Sequence, residues 1–142
     1  MLVLSRKRDQ AVRIGKDIRV MVTDIRGDKV RIGTNAPPCY RVYRKEIYDG
    51  ILREIAAGGS PPEERIKSGA GQLVLSRQRD EKLYVIDPAD WNKPLVSITV
   101  VDIRGDKIRL GFEADRSLDV DREEVYKLKS AGADAKAGQT AV

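Results

Sequence analysis

The chain has no histidine and a single cysteine, Cys39. Histidine is the commonest metal ligand and acid–base catalyst, and one cysteine cannot form a disulfide within the chain. No apolar run reaches the 18 residues that a membrane-spanning helix needs, and no signal-peptide core is present. We therefore expect a soluble cytoplasmic protein that binds no metal, needs no cofactor and is not an enzyme.

Two blocks of sequence occur twice in the same order. Residues 2–9 read LVLSRKRD and residues 73–80 read LVLSRQRD. Residues 22–33 read VTDIRGDKVRIG and residues 100–111 read VVDIRGDKIRLG. This repetition indicates a duplicated module, and the second copy has about seven extra residues between its blocks. Because a copy of about 57 residues is small for a core of its own, we expect the copies to complete each other.

Charge is divided unequally between the copies. Copy 1 (residues 1–57) has 13 Lys and Arg against 7 Asp and Glu, whereas copy 2 (residues 72–128) has 10 against 12. A basic half beside an acidic half suggests that the copies differ in their affinity for a polyanion. Drift of solvated surfaces would explain the charges alone equally well.

Copy 1 is mostly strand in its pattern. Short β-rich runs cover residues 2–8, 11–14, 18–25, 29–34 and 40–44, and glycine-containing turns separate the hairpin strands. A helix is predicted over residues 45–57, with Ile47, Ile51 and Ile55 on its apolar face and Gly58-Gly59 at its end.

Copy 2 repeats five strands and a short helix near residues 123–129. An insertion at residues 87–94 (DPADWNKP) carries the only tryptophan, Trp91. We expect a mainly β, α+β protein with module 1 at 1–57, a flexible linker at 58–71, module 2 at 72–129 and a disordered tail at 130–142.

Copy 1 begins MLVLSRK, has Ile14-Gly15 at a turn, and continues with GDKVRIGTNAP at 27–37 and VYRKEIY at 42–48. These motifs resemble the carbon storage regulators, the CsrA (RsmA) family of bacterial post-transcriptional regulators. Copy 2 is similar but divergent. It keeps LVLSR, GDKIRLG and VDREEVY (120–126), but it has Asp87 in place of the turn glycine and GFEAD (111–115) at the NAP loop.

The resemblance implies a dimer whose protomers interleave, with the first strand of one beside the fifth strand of the other. Each such junction would bind a GGA element in single-stranded or hairpin-loop mRNA or small regulatory RNA, and so alter translation or mRNA stability. The two copies here would form an intramolecular pseudo-dimer, a β-sandwich or barrel. A swapped homodimer of two chains is the alternative. No membrane partner is expected.

The resemblance assigns two unequal RNA sites. Arginines on one face of a strand can hold phosphates and guanine edges, and acidic side chains oppose RNA. Asp119 and Asp121 flank the fifth strand of copy 2, so the site that uses this strand is expected to be weak or repurposed. The stronger site would combine Leu75, Arg77 and Arg79 with Ala36, Pro37, Val42 and Arg44. The weaker site would combine Leu4, Arg6 and Arg8 with Val120 and Arg122.

Other interpretations remain open for these residues. Arginines on an exposed strand can simply keep a sheet edge soluble. Trp91 suits structural packing, base stacking or protein docking. The acidic copy 2 also fits a protein-interaction module, or an antagonist that pairs with single-copy family members.

Overall fold

The computed structural model describes residues 1–61 and 73–129, and both copies follow the expected order of five strands and a helix. Most of the linker predicted at 58–71 and all of the tail predicted at 130–142 lie outside the described residues. In copy 1 the elements are β1 (Leu2–Lys7), β2 (Ala11–Ile14), β3 (Ile18–Arg26), β4 (Lys29–Asn35), β5 (Arg41–Arg44) and α1 (Lys45–Ala56). In copy 2 they are β6 (Leu73–Gln78), β7 (Lys82–Ile86), β8 (Val96–Arg104), β9 (Lys107–Ala114), β10 (Val120–Arg122) and α2 (residues 123–129).

The strands form two five-stranded antiparallel sheets, and each sheet contains strands of both copies. One sheet has the order β1-β9-β8-β7-β5 and the other has the order β10-β2-β3-β4-β6. The outer strands β1 and β5 of the first sheet come from copy 1, whereas its three inner strands come from copy 2. The second sheet reverses this arrangement. The predicted interleaving of the copies within one chain is therefore confirmed.

The register shows that the copies are equivalent in structure. Leu4 lies opposite Leu110 in the β1–β9 pair, and Leu75 lies opposite Ile32 in the β4–β6 pair. A register shift interrupts β3–β4 between Val22 and Asp24, and another interrupts β8–β9 at the corresponding place. Each first strand thus pairs with the fourth strand of the other copy.

A single apolar core lies between the sheets. Strand β4 alternates exposed and buried residues, so that Val30 and Ile32 point inwards while Lys29 and Arg31 stay outside. Val12, Val20, Ile98 and Leu110, among others, complete the same cluster from both copies. Neither copy encloses this core alone, which agrees with the small size of each module.

Helix α1 buries only part of the predicted face. Ile51 and Ile55 are half-buried, but Ile47 is 52% exposed, and the buried residue of the helix is Tyr48. Ile51 and Leu52 pack with Tyr48 in one cluster, so the buried face is centred on Tyr48 and excludes Ile47. The helix ends as predicted, since Gly58 adopts a φ of 93° and its N–H donates to the carbonyl of Ile55.

The insertion of copy 2 packs on helix α1 of copy 1. Trp91 is half-buried, and its ring lies 6.0 Å from that of Tyr43 between centroids. The hydroxyl of Tyr48 donates a hydrogen bond to the backbone carbonyl of Trp91. These contacts place Trp91 in the small cluster beneath α1, which supports the structural interpretation of this residue.

Candidate nucleic-acid interface

The residues predicted to bind RNA lie where an edge of one sheet meets an edge of the other. We call these places the β5–β6 seam and the β1–β10 seam, after the edge strands at each. The first strand of one copy is not hydrogen-bonded to the fifth strand of the other, because the two strands belong to different sheets. Side chains of the first strands cross each seam to the start of the helix that follows the fifth strand. The first strand of one copy therefore lies near the fifth strand of the other, as the resemblance implies, although the two strands are not paired.

The β5–β6 seam is joined by a charged pair between the copies. Both Nη atoms of Arg77 donate to the carboxylate of Glu46 over 2.8 Å, and Nη1 also donates to the carbonyl of Lys82. Arg77 is 5% exposed. Its guanidinium holds the pKa of Glu46 at about 2. Arg77 is thus engaged within the protein, and we correct its predicted position on an open RNA-facing surface.

The β1–β10 seam repeats this arrangement. Arg6 donates to both carboxylate oxygens of Glu124 over 2.8 Å and to the carbonyl of Ala11. Arg6 is buried to the same degree as Arg77. Because the hydrogen bonds of both arginines are made within the protein, they hold the seams together and have little capacity left for a base.

The apolar residues of both predicted sites pack against the shared core. Leu4 is buried, and Leu75 is half-buried at the equivalent place in copy 2. Val42, Val120 and the half-exposed Ala36 also pack against this core. Pro37 follows Ala36 in the loop and is half-buried. These side chains provide the apolar floor of the seams.

A basic cleft opens beside the β5–β6 seam, with a volume of about 580 Å³. Its charged lining residues are five basic ones and three acidic ones: Arg26, Lys29, Arg31, Arg44 and Arg77, and Asp24, Glu46 and Glu81. Among the described residues, Arg44, Lys29 and Arg31 form no ion pair, so their charges remain available to a ligand. Lys29 and Arg31 were not among the residues predicted to bind RNA. In the GDKVR block, alternation along the strand places these two residues on the outer face, and this pattern could have revealed them.

Arg8 and Arg79 lie at other places than those predicted for them. Arg8 lies in a groove with Arg26, Arg31 and Val74, next to the basic cleft of the β5–β6 seam. The reason is a crossing of the chain. Strand β1 belongs to one sheet and β2 to the other, and Asp9 makes the connection with a φ of 66°.

Arg79 lies on the opposite side for the same reason. The hydrogen bond from Arg104 lowers the pKa of Asp102, and the nearby charge of Arg79 lowers it further. Arg79 is therefore near Asp102 of β8, and it does not line the cleft that contains Arg44, with which the prediction grouped it.

The β1–β10 seam differs from its counterpart mainly in its loop and fifth strand. Asp115, which stands in place of Pro37, accepts hydrogen bonds from the backbone N–H and the hydroxyl of Ser117. Asp121 pairs with Lys129 over 3.0 Å. Arg122 is exposed and forms no ion pair among the described residues. This seam keeps its arginine but carries extra negative charge close to it.

Comparison with known proteins decides the family. The model of the CsrA global regulator family matches residues 1–53 and again residues 73–130, which together make up most of the chain. The chain belongs to the CsrA family. It contains two CsrA units in tandem, as the repeated blocks indicated. No solved structure matches the chain.

The curated relatives of this CsrA-family chain are translational regulators named CsrA. The protein from Rhodopirellula baltica is 53% identical over 53 residues, which are 37% of this chain and 76% of the relative. That from Ruminiclostridium cellulolyticum is 54% identical over 54 residues, covering 38% and 75%. That from Leptospira biflexa is 44% identical over 72 residues, covering 49% and 91%. A match to one of these relatives is thus about the size of one copy.

Within residues 1–61 and 73–129, no group of three or more Cys, Asp or Glu side chains is arranged to hold a metal ion. No helix there is long and apolar enough to cross a bilayer. Cys39 is exposed and unpaired.

Proposed function

We propose that this CsrA-family protein is a non-enzymatic, RNA-binding regulator of translation or mRNA stability. It recognises GGA elements in single-stranded or hairpin-loop regions of mRNA or small regulatory RNA. The observation that carries the proposal is the cleft at the β5–β6 seam. There, Arg44, Lys29 and Arg31 present positive charge and form no ion pair among the described residues, while Leu75 and Val42 of the two edge strands pack on the core.

The chemistry of this cleft suits an unpaired RNA loop. The bases of a loop are exposed, so an apolar floor can contact their faces while arginine donates to guanine edges or phosphates. Duplex RNA would hide those edges in its deep groove. Arg77 holds the seam together through its ion pair with Glu46.

The two seams are proposed to bind with unequal strength. Arg44 and Arg122 occupy equivalent positions, and both lack an ion pair among the described residues. Asp115, Asp119 and Asp121 place negative charge around Arg122, where the equivalent residues of copy 1 are Pro37, Arg41 and Tyr43. Because RNA carries a negative charge at each phosphate, the β1–β10 seam is the weaker or repurposed site.

The test is binding of the purified full chain to a short hairpin RNA with GGA in its loop, at fixed salt concentration. The control RNA has the same stem and CCA in the loop. We expect tight binding to the GGA hairpin and a loss of roughly tenfold or more with the control, since good base contacts contribute about 1–3 kcal/mol each. Equal binding of both RNAs would refute GGA recognition.

A second candidate function is a protein-interaction module that antagonises single-copy family members. The negative charge on and around β10 favours it, because this surface disfavours RNA. In that case the full chain would bind neither hairpin tightly but would form a stable complex with a single-copy CsrA in sedimentation experiments.

A further inference from the structure

The two helices of the protein are held by chemically different contacts between the copies. Helix α2 begins with Glu123, whose carboxylate accepts hydrogen bonds from Arg19 over 2.6 and 3.1 Å and from Arg13 over 3.3 Å. The side chain of Glu123 is only 15% exposed. The hydrogen bond from Arg19 is the main reason why the pKa of Glu123 falls to about 2. We call Arg13, Arg19 and Glu123 the charged contact.

Tyr126 strengthens the charged contact from the next turn of α2. The guanidinium carbon of Arg13 lies 4.9 Å from the centre of the Tyr126 ring, which is the geometry of a cation–π interaction. Arg13 is thus held by both a carboxylate and a ring of copy 2.

Helix α1 is held by an aromatic contact instead. The ring of Tyr48 meets that of Tyr84 edge-to-face, with 5.0 Å between centroids. Trp91 packs in the same cluster and accepts a hydrogen bond from the hydroxyl of Tyr48. We call Tyr48, Tyr84 and Trp91 the aromatic contact. This contact itself contains no ion pair. The ion pair of Glu46 with Arg77 also joins α1 to copy 2, and that of Glu124 with Arg6 joins α2 to copy 1, so the charged and aromatic contacts are where the two helices differ.

The register shows which residues of the two contacts correspond. Tyr43 lies opposite Tyr84 in the β5–β7 pair, and Asp121 lies opposite Arg13 in the β10–β2 pair. On the next strand, Ser97 lies opposite Tyr84 and Arg19 lies opposite Arg13. The matching sequences VYRKEIY and VDREEVY make Lys45 the equivalent of Glu123.

Pairing of copy 1 with a second copy 1 would therefore bring three positive charges together. Lys45 would take the place of Glu123 and face Arg13 and Arg19. In the observed arrangement Lys45 instead lies near Tyr84, and its ammonium group pairs with Asp49 of its own helix. Like charges at such short range repel each other, particularly where the surroundings are half-buried.

Pairing of copy 2 with a second copy 2 would create a different mismatch. Glu123 would face Tyr84 and Ser97 and lose both of its arginines. Asp121 would replace Tyr43 beside Trp91 and put a carboxylate against an aromatic ring. A half-buried carboxylate without a cation is costly.

We propose that the charged and aromatic contacts make each copy selective for the unlike copy. The face of copy 1 around Arg13 and Arg19 accepts a partner with a carboxylate at the start of its helix and rejects a second copy 1. The tandem chain is then a specific heterotypic pair, and its two seams cannot become equal through exchange of like copies. This property extends beyond RNA binding and does not depend on it.

A point substitution in the full chain reproduces the contact of a copy 1–copy 1 pair. Glu123→Lys places lysine against Arg13 and Arg19, as in a copy 1–copy 1 pair. We expect its Tm to fall by on the order of 5 °C or more. Glu113→Lys is the matched control, because it makes the same change of charge at an exposed residue of β9. The control is expected to shift Tm by about 1 °C or less.

The rescue variant surrounds position 123 with the same types of side chain that surround Lys45. Arg13→Tyr and Arg19→Ser are combined with Glu123→Lys, so that the lysine again faces a tyrosine and a serine. We expect this triple variant to recover most of the Tm lost by Glu123→Lys. The proposal would be overturned if the Tm of the triple variant were no higher than the sum of the separate effects of its substitutions predicts. Equal Tm values for Glu123→Lys and Glu113→Lys would also overturn it.

A milder variant keeps the test decisive if Glu123→Lys does not fold. Glu123→Gln removes the carboxylate without adding a positive charge, and its Tm is measured at low and high salt. Screening weakens the repulsion that Arg13 and Arg19 then exert on each other, so salt should reduce the Tm difference from the wild type. The same Tm as the wild type at every salt concentration would also overturn the proposal.

Discussion

Arg77 of copy 2 forms a bidentate ion pair with Glu46 of copy 1, and both of its hydrogen bonds are 2.8 Å long. Arg6 and Glu124 form the mirror pair with the copies exchanged. Each pair joins a first strand to the beginning of the helix from the other copy. The arginines are buried, whereas more than half of each glutamate side chain is exposed. We call these two ion pairs the clamps, because they join the copies and engage their arginines within the protein.

Removal of a clamp is expected to destabilise the fold. Arg77→Ala leaves the carboxylate of Glu46 and the carbonyl of Lys82 without a donor, and it opens space in the seam. We expect a loss of about 1–3 kcal/mol in the free energy of unfolding, below the range for a fully buried pair because Glu46 is half exposed. Urea unfolding measures it. Arg79→Ala, at a side chain that is 67% exposed, should change stability by no more than about 0.5 kcal/mol. A similar loss in both variants would contradict the assignment.

The equivalent arginines of the two seams are expected to differ in their effect on RNA affinity. Arg44→Ala should weaken binding of a GGA hairpin by about 1–3 kcal/mol, and Arg122→Ala should weaken it much less, since acidic groups surround Arg122. Fluorescence anisotropy at one salt concentration gives both values, and circular dichroism checks that the variants are folded. The proposed inequality of the sites fails if the two substitutions reduce affinity equally.

Arg8 and Arg79 offer a direct comparison of the sequence-based grouping with the structure. Arg8 lies beside the basic cleft, so Arg8→Ala should weaken binding of the GGA hairpin more than Arg79→Ala does. A phosphate contact would also reduce the slope of log affinity against log salt by about one. Both side chains are 67% exposed, which makes the two variants well matched. A larger effect of Arg79→Ala would restore the grouping that the sequence suggested.

Trp91 is expected to contribute to stability. Trp91→Ala removes its packing against Tyr43 and leaves a gap beneath α1, so we expect a loss of about 1–3 kcal/mol for this half-buried side chain. Asn92→Ala is the control, since Asn92 is exposed and adjacent in the chain. Unfolding in urea compares the two. Unchanged stability of Trp91→Ala together with weaker RNA binding would instead support base stacking by this residue.

Stability should decrease in acid. The pKa values of Glu46, Glu123 and Glu124 fall from 4.5 to about 2, chiefly through hydrogen bonds from Arg77, Arg19 and Arg6 respectively. The unfolded chain binds protons at these sites more readily than the folded chain. The stabilisation is complete above about pH 4.5 and disappears as the pH falls towards about 2.

Glu123→Gln tests this origin of the acid sensitivity. Its side chain cannot titrate, so the free energy of unfolding should depend less on pH between about 4.5 and 2 than in the wild type. The free energy is obtained from urea titrations at several pH values. An unchanged pH dependence would exclude Glu123 as a source of the acid sensitivity.

Much of the architecture could be predicted from local sequence. The β-rich run at residues 29–34 predicted strand β4, and the alternation of Val30 and Ile32 with Lys29 and Arg31 contains the information on its buried face, because side chains alternate along a strand. The repeated blocks identified two equivalent modules, and the small size of each indicated that it needed the other. The position of Gly58 identified the end of α1, since glycine readily adopts the positive φ found there.

The sequence by itself thus determined the strands, the duplication and the family of the protein. Tertiary structure decided what individual side chains do. Arg6 and Arg8 are two residues apart and were expected to act together, yet Arg6 is buried against Glu124 while Arg8 lies in an open groove on the other side. The partner of each arginine is distant in sequence, and the chain crosses between the sheets at Asp9. Alternation along a strand shows which side chains share a face, but only the packing of both copies determines whether that face meets a carboxylate, the core or solvent.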